Sequence, residues 1–255
     1  MSATVTTERD GHVALIRFSH PPYNYASPEL LSLIAAAVEA GDADPEVRCT
    51  VLLAEGKSFC AGADLAGSAA MAGDDGMATI GQLYVQAERL YRRRKPMVAA
   101  VQGAAIGAGL GLALVADFRV AGAGARFSAN FVRLGFHPGF AITHALPRLI
   151  GEQRAAWMML SAERVKPEAA LQWGLIDAIA EDPEVEAHRR AAEIAANAPL
   201  ALLAVRATLN GSLADDAVAA MRREHAQQTA LRPTADYAEG VASVFQRREA
   251  NFIGG

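Results

Sequence analysis

Cysteine is nearly missing from this 255-residue chain, which has only Cys49 and Cys60. Two thiols cannot form a disulfide framework in a chain this long, so a reducing cytoplasm is the expected compartment. An excess of charge of one sign is also missing. The 24 Lys and Arg stand against 28 Asp and Glu for a net −4, which argues against nucleic acid as the main partner. No apolar segment follows a basic start in MSATVTTERDGHV, so no secretory signal is visible. No His, Cys and carboxylate cluster has metal-ligand spacing, and no metal is expected. Internal repeats and low-complexity tracts are lacking too. Apolar residues, by contrast, are plentiful. At 52% hydrophobic the chain is not disordered, and its length allows one large domain or two modest ones with a substantial core.

Only one stretch invites a membrane reading. Pro96 to Ala116 is uncharged over 21 positions, and Gly103, Gly107 and Gly111 imitate a helix-dimerisation face. Its residues are mostly Ala and Gly, which insert weakly, and Gln102-Gly103 divides it into two periods. Met97 to Val101 reads as a buried strand and Ile106 to Val115 as a buried helix, so no membrane is expected.

The rest alternates strands with helices. His12 to Phe18 reads as a strand. Ser27-Pro28 supplies an N-cap hydroxyl and a first-turn proline to a helix with Leu30, Leu31, Ile34 and Val38 on one face, stopping near Gly41. Cys49 to Leu53 is a strand, Gly56 to Gly67 a small-residue loop, Ile80 to Arg94 a helix and Phe118 to Ala121 a strand. Such alternation predicts an α/β fold with largely parallel pairing. After Pro138 the pattern is helical apart from a short strand at Leu175 to Ala180. From about Pro183 onward only helices are predicted.

Two loops of small residues follow buried strands: Phe59-Cys-Ala-Gly-Ala-Asp-Leu65 and Gln102-Gly-Ala-Ala-Ile-Gly-Ala-Gly109. Small side chains let a ligand approach the backbone, and a helix start presents unpaired N–H groups. Side by side, two such loops could aim two N–H donors at one oxygen, as an oxyanion hole for an enolate or tetrahedral intermediate. Nucleotide readings fail on spacing. Leu112 stands where a dinucleotide fingerprint needs its third glycine, Asp117 is too close to be the ribose acid, and no Gly-Lys-Ser/Thr follows. Glycines needed only for tight packing remain the plain alternative for the second loop.

Those loops, with Lys95-Pro-Met-Val-Ala-Ala-Val-Gln-Gly103, Ala116-Asp-Phe-Arg119, Leu146-Pro-Arg-Leu-Ile-Gly151 and Ala169-Ala-Leu-Gln-Trp-Gly-Leu-Ile-Asp177, resemble the enoyl-CoA hydratase/isomerase (crotonase) superfamily from about residue 10 to 252. The resemblance implies a crotonase-like (ClpP/crotonase) spiral of ββα turns over residues 1–195. It also implies a C-terminal helical trimerisation region over 196–255 and a homotrimer or a hexamer made from two trimers. It places an acyl-CoA thioester carbonyl between the N–H groups of Ala63 and Ala108, with Ala61, Gly62 and Gly107 around them. No cofactor is implied beyond the coenzyme A moiety of the substrate.

Hydratases of the superfamily use two glutamates, and here those positions hold Gly111 and Phe131. A third position, used by isomerases, holds Gly139. Standard hydration is therefore not expected. His137 has a pKa suited to proton transfer near neutrality, or else supports its turn. Tyr84 and Glu88 share a helix face on the implied acyl-pocket wall; Glu88 serves as a base or, as the spacing favours, as an ion-pair partner of Arg92. Cys60 reads as a small buried thiol rather than a nucleophile. Asp64 is expected to cap a following helix. Lys57 is the first candidate for the CoA phosphates, while the Arg92–Lys95 run reads first as a solvated face and second as a phosphate contact. Tyr25 and Leu65 are expected along the adenine or pantetheine path, and Arg247, Arg248 and Phe252 to reach a ligand from a neighbouring subunit. Two functions follow: a non-standard acyl-CoA lyase or isomerase, or an inactive acyl-CoA carrier or sensor.

Overall fold

The computed structural model describes residues 2–63 and 76–255. Six strands make one sheet in the order β1-β2-β3-β4-β6-β8: β1 (Thr4–Asp10), β2 (Val13–Ser19), β3 (Cys49–Ala54), β4 (Met97–Val101), β6 (Phe118–Gly122) and β8 (Ala178–Ala180). Only β1 and β2 pair antiparallel; every later pairing is parallel. Strand alternation sorts the side chains into two layers. Cys49, Val51 and Leu53 of β3, Val98 and Ala100 of β4 and Val120 of β6 face α7 (Pro183–Ala195), which offers Ala187, Ala191 and Ala195. Leu52, Met97, Ala99 and Val101 face the larger core on the other side.

α1 (Pro28–Ala43) starts as expected, with Ser27 Oγ accepting the Leu30 N–H at 3.1 Å, and buries Leu30, Leu31, Ile34 and Val38. It runs through Gly41, which is buried within it. The expected helix after β3 is α2 (Gly76–Tyr91). The uncharged stretch divides into β4, a short β5 (Ala104–Ile106) and α3 (Ala108–Val115). β5 pairs with β7 (Arg126–Ser128) in a second sheet, which delays the helix to Ala108. All eight residues of α3 are buried, which explains its all-round apolar sequence. No single helix among the described residues is long and apolar enough to cross a membrane.

A 3₁₀ turn (Asn130–Leu134) leads to α4 (Ile142–Ile150), α5 (Glu152–Ser161) and α6 (Pro167–Trp173). The strand expected over 175–180 shrinks to β8, because Leu175 is drawn into the turn after α6. Its N–H bonds to Ala170 O at 2.8 Å and its carbonyl accepts Arg119 Nε at 2.7 Å. α8 (Pro199–Asn210), α9 (Leu213–Leu231) and α10 (Ala235–Gln246) close the chain. α9 packs along α2 and α4, and α10 lies on the 3₁₀ turn.

Beneath this tail sits a buried ion cluster. Asp117 accepts the Met97 N–H at 2.8 Å and pairs with Arg93 at 2.8 Å and Arg206 at 3.2 Å. Burial works against its charge, but the two guanidinium groups win and hold it down to about 2. The Arg92–Lys95 run is therefore only half a solvated face: Arg92 and Arg94 are exposed, but Arg93 and Lys95 are buried, and Lys95 Nζ binds Gly41 O and Asp44 O at 2.7 and 2.5 Å.

Candidate active site

The two small-residue loops are pressed together. Cys60 donates its N–H to Ala104 O at 2.9 Å and accepts that of Ile106 at 3.0 Å, so the first loop continues the β5–β7 sheet. A Cβ on Gly109 would lie 1.9 Å from Cys60 O, and one on Gly62 would lie 2.9 Å from Ile106 O and 3.9 Å from Ala108 N. Glycine is required at 62 (φ +94°) and at 107 (φ 54°, ψ −120°), a conformation that side chains resist. Gly107 spends its N–H on Ser128 O at 2.9 Å, and α3 then begins at Ala108. Among the backbone bonds of the described residues, neither Ala63 nor Ala108 is a donor. Both line one cavity, at the positive end of α3.

That cavity measures about 590 Å³, and its walls are mostly apolar. Leu83 of α2, Phe131 and Phe140 form the inner part; Val244, Phe245 and Arg247, all exposed, form the mouth. Among the described residues no carboxylate or imidazole lines it; the polar side chains are those of Tyr25, Tyr84, Asn130, Gln228 and Arg247.

Tyr84 donates its hydroxyl proton to Gln228 Oε1 at 2.7 Å, and Gln228 Nε2 donates to His137 O at 2.9 Å. Gly139 makes room, since a Cβ there would sit 2.0 Å from Tyr84 Oη. Burial first, and then the nearby Glu224 carboxylate, push the phenol well above its usual range, so it is neutral. Glu224, buried on α9, accepts Ala141 N at 2.8 Å and Thr143 N at 3.0 Å and Oγ1 at 2.6 Å. It thereby caps α4, whose approach through Phe140 (φ 63°) and Ala141 (φ 58°) lies in the left-handed region.

Of the residues singled out in the sequence, Tyr25, Ala61, Gly62, Ala63, Gly107 and Ala108 meet at the cavity. Asp64 and Leu65 lie outside the described residues. Three others stand elsewhere. Lys57 is exposed and does not line the cavity; its carbonyl packs on Gly103. His137 turns its Nδ1 to Pro138 O at 2.7 Å and contributes only a carbonyl, to Gln228. Glu88, one turn beyond Tyr84, pairs with Arg92 at 2.8 Å, and Arg92 reaches on to Asp215 at 3.1 Å. Neither His137 nor Glu88 lines the cavity, so neither stands where a proton could pass directly to a bound substrate. Arg247, expected to serve a neighbouring subunit, lines the cavity of its own chain. Burial pushes the Cys60 thiol up to about 12, as befits a packing residue. The room above Gly111 is full: a Cβ there would meet Phe140 Cβ at 2.6 Å and its ring at 2.7 Å. Sequence reasoning missed Gln228 and Glu224, which reach the site only through the packing of α9 on α2 and α4.

A family model described as enoyl-CoA hydratase/isomerase matches residues 8–255. A probable enoyl-CoA hydratase of Mycobacterium tuberculosis, EchA14, is 37% identical over 227 residues, 89% of each chain. The 2,3-dehydroadipyl-CoA hydratase of Escherichia coli is 35% identical over 96% of this chain and 97% of its own length. The crystal structure of an enoyl-CoA hydratase/isomerase from Pseudoalteromonas atlantica superposes with a TM-score of 0.86 at 27% identity, over 98% of this chain and 99% of the other.

Proposed function

The chain belongs to the enoyl-CoA hydratase/isomerase family and has its crotonase fold, and from that premise we propose that it seats an acyl-CoA thioester carbonyl between the Ala63 and Ala108 amides. The observation that carries this is the side-chain-free contact of the two loops at Gly62 and Gly109. Two N–H groups aimed at one oxygen stabilise the negative charge that a thioester gains on becoming an enolate. The acyl chain lies against Leu83, Phe131 and Phe140 and leaves toward the mouth, where Arg247 meets the CoA phosphates, with exposed Lys57 nearby in sequence to the first loop.

Hydration by two carboxylates around a water is not the route. Positions 111 and 131 carry glycine and phenylalanine, and Phe140 fills the space above the glycine. The proteins named hydratases among its relatives are the natural comparison. With crotonyl-CoA, loss of the enoyl absorbance at about 10 per second or more, a typical enzyme rate, would overturn this reading; a rate at least 1000-fold lower, about 0.01 per second, is expected. A second reading, an acyl-CoA carrier without chemistry, is favoured by the lack of any described carboxylate or imidazole on the cavity wall. It predicts tight acyl-CoA binding with no turnover of any thioester.

Assembly as a homotrimer or hexamer is part of the proposal. It is supported by α8, which buries none of its residues and exposes Leu200, Val205 and Leu209 at 80%, 58% and 73%. The buried, unpaired thiols of Cys49 and Cys60 support a reducing cytoplasm.

A further inference from the structure

We propose that the cleft between the end of α2 and the corner joining α8 to α9 is a second binding site, built for the diphosphate group of an organic ligand. It is separate from the acyl cavity and does not depend on the acyl-CoA reading. Tyr84 lines that cavity, and Tyr91, which lines this cleft, stands seven residues, or about 10 Å, further along the same helix.

The cleft measures about 640 Å³, a size usual for small-molecule sites. Among the described residues, the guanidinium-bearing Arg92, Arg93, Arg94 and Arg206 line it and no carboxylate does. The four are not equally committed. Arg92 holds Glu88 at 2.8 Å and Asp215 at 3.1 Å. Arg93 and Arg206 share a single carboxylate, that of Asp117. Arg206 gives Nε to Asp117 and Nη1 to Arg93 O at 2.6 Å, and its Nη2 is left over. The exposed Arg94 places its backbone N–H on Asp42 Oδ2 at 2.6 Å, and its side chain bonds to nothing among the described residues. Arg93 Nε and Tyr91 Oη, sealed from solvent just behind the wall, have no hydrogen-bond partner either. Two buried guanidinium groups on one carboxylate leave positive charge without a counter-charge, and an anion in the cleft offsets that cost. Desolvation first, and then the Arg93 charge, lower the Arg206 pKa, which reports the same imbalance.

The backbone around the cleft agrees with an anion. Leu213 and Ala214 open α9 at its positive end, and among the backbone bonds of the described residues neither is a donor. Ser212 does not cap them, because its Oγ bonds to Asp216. Asp215 and Asp216 of that first turn carry the wrong charge, but Arg92 draws the first aside and Ser212 holds the second. At the end of α2, Leu90 O and Arg93 O would repel an anion, and both are already covered by the guanidinium groups of Arg93 and Arg206. Leu203, Ala207 and Leu213 give the cleft an apolar side against which an organic body can lie. Two phosphoryl groups match this arrangement: one set on Arg94 and Arg206, the other on the start of α9. A nucleotide and a coenzyme A moiety both carry that chemistry.

Calorimetry on the full-length protein at low salt, with inorganic pyrophosphate as probe, tests the site. One pyrophosphate per chain is expected, with a Kd below about 1 mM that rises as NaCl is added. Arg94→Gln breaks no bond of the fold, so its thermal unfolding is expected to match wild type while pyrophosphate affinity falls about 10-fold or more. Arg247→Gln, at the mouth of the acyl cavity, is expected to keep that affinity within about twofold. Displacement of pyrophosphate by ADP assigns the cleft to a nucleotide. Binding of a second coenzyme A per chain, lost in Arg94→Gln, assigns it to a coenzyme A moiety. Absence of saturable binding by folded wild type overturns the proposal, as does equal binding by Arg94→Gln, a loss seen in Arg247→Gln instead, or bound pyrophosphate that neither organic ligand displaces.

Discussion

Substituting Gly109 by alanine tests the oxyanion hole without touching a polar group. The new methyl would start 1.9 Å from Cys60 O, where real contacts do not fall below 3.0 Å, so the two loops have to part by about 1 Å. That parting separates the Ala63 and Ala108 amides, while the phenylalanine walls are left in place. Each amide bond to a thioester oxygen contributes about 0.5–1.5 kcal/mol, so the pair contributes about 1–3 kcal/mol, or about 5- to 150-fold in affinity. Calorimetry reads this directly as a ratio, comparing a thioester with the thioether of the same chain, which lacks the carbonyl oxygen. Wild type is expected to prefer the thioester by a factor in that range. Gly109→Ala is expected to bring the ratio close to one with thioether affinity retained. Overpacking costs about 1–3 kcal/mol, a fall of about 2–12 °C in melting temperature, which is checked on the same sample. A folded Gly109→Ala protein that keeps the wild-type ratio would refute the two-amide argument.

Asp117 sets an acid limit on stability. Its folded pKa of about 2 lies below the ordinary 3.8, so its contribution is complete above about pH 4 and is lost as pH falls through 2. Asp117→Asn, which leaves Arg93 and Arg206 without their carboxylate, should cost about 3–5 kcal/mol at pH 7, and its deficit should shrink toward pH 2 in acid denaturation. A pH-independent deficit would contradict this. Glu224→Gln sets an NH₂ group against one of the N–H donors at the start of α4 and should destabilise by about 1–3 kcal/mol; unchanged thermal unfolding would remove Glu224 from the capping role. Leu209→Asp on α8 should lower the mass measured by light scattering from that of a trimer or hexamer to that of a monomer, and a wild type that is already monomeric would dismiss the assembly.

The central strands are plain in the sequence because they are almost wholly apolar, as Cys49–Ala54 (with only Thr50 polar) and Met97–Val101 are. It hides β1, whose TVTTERD has no fully buried residue: at the sheet edge it pairs with β2 and packs on the core through Val5 alone of its apolar side chains. Three-residue strands such as β5 and β7 are too short to carry a period. The two small-residue loops are legible because close backbone approach demands glycine at fixed offsets, as at Gly62 and Gly109, while Gly107 meets a positive φ. Of the pair expected on one helix face, Tyr84 lines the cavity and Glu88 does not. The Tyr84 partner, Gln228, lies 144 residues away, and nothing local marks such a pair. His137 and Glu88 show the converse: residue type suits proton transfer, but packing turned one toward a neighbouring carbonyl and paired the other with Arg92. Residue chemistry is local; orientation toward a cavity is a property of the whole fold.

The ring of Phe140 over Gly111 also limits what can be grafted into this site. A side chain introduced at 111 starts 2.6 Å from Phe140 Cβ, an atom that alanine at 140 would keep, while trimming the fully buried ring opens a void costing about 3–5 kcal/mol. Seating a carboxylate there therefore requires the backbone at 140 or at 111 to move, and a paired substitution of side chains alone is not enough.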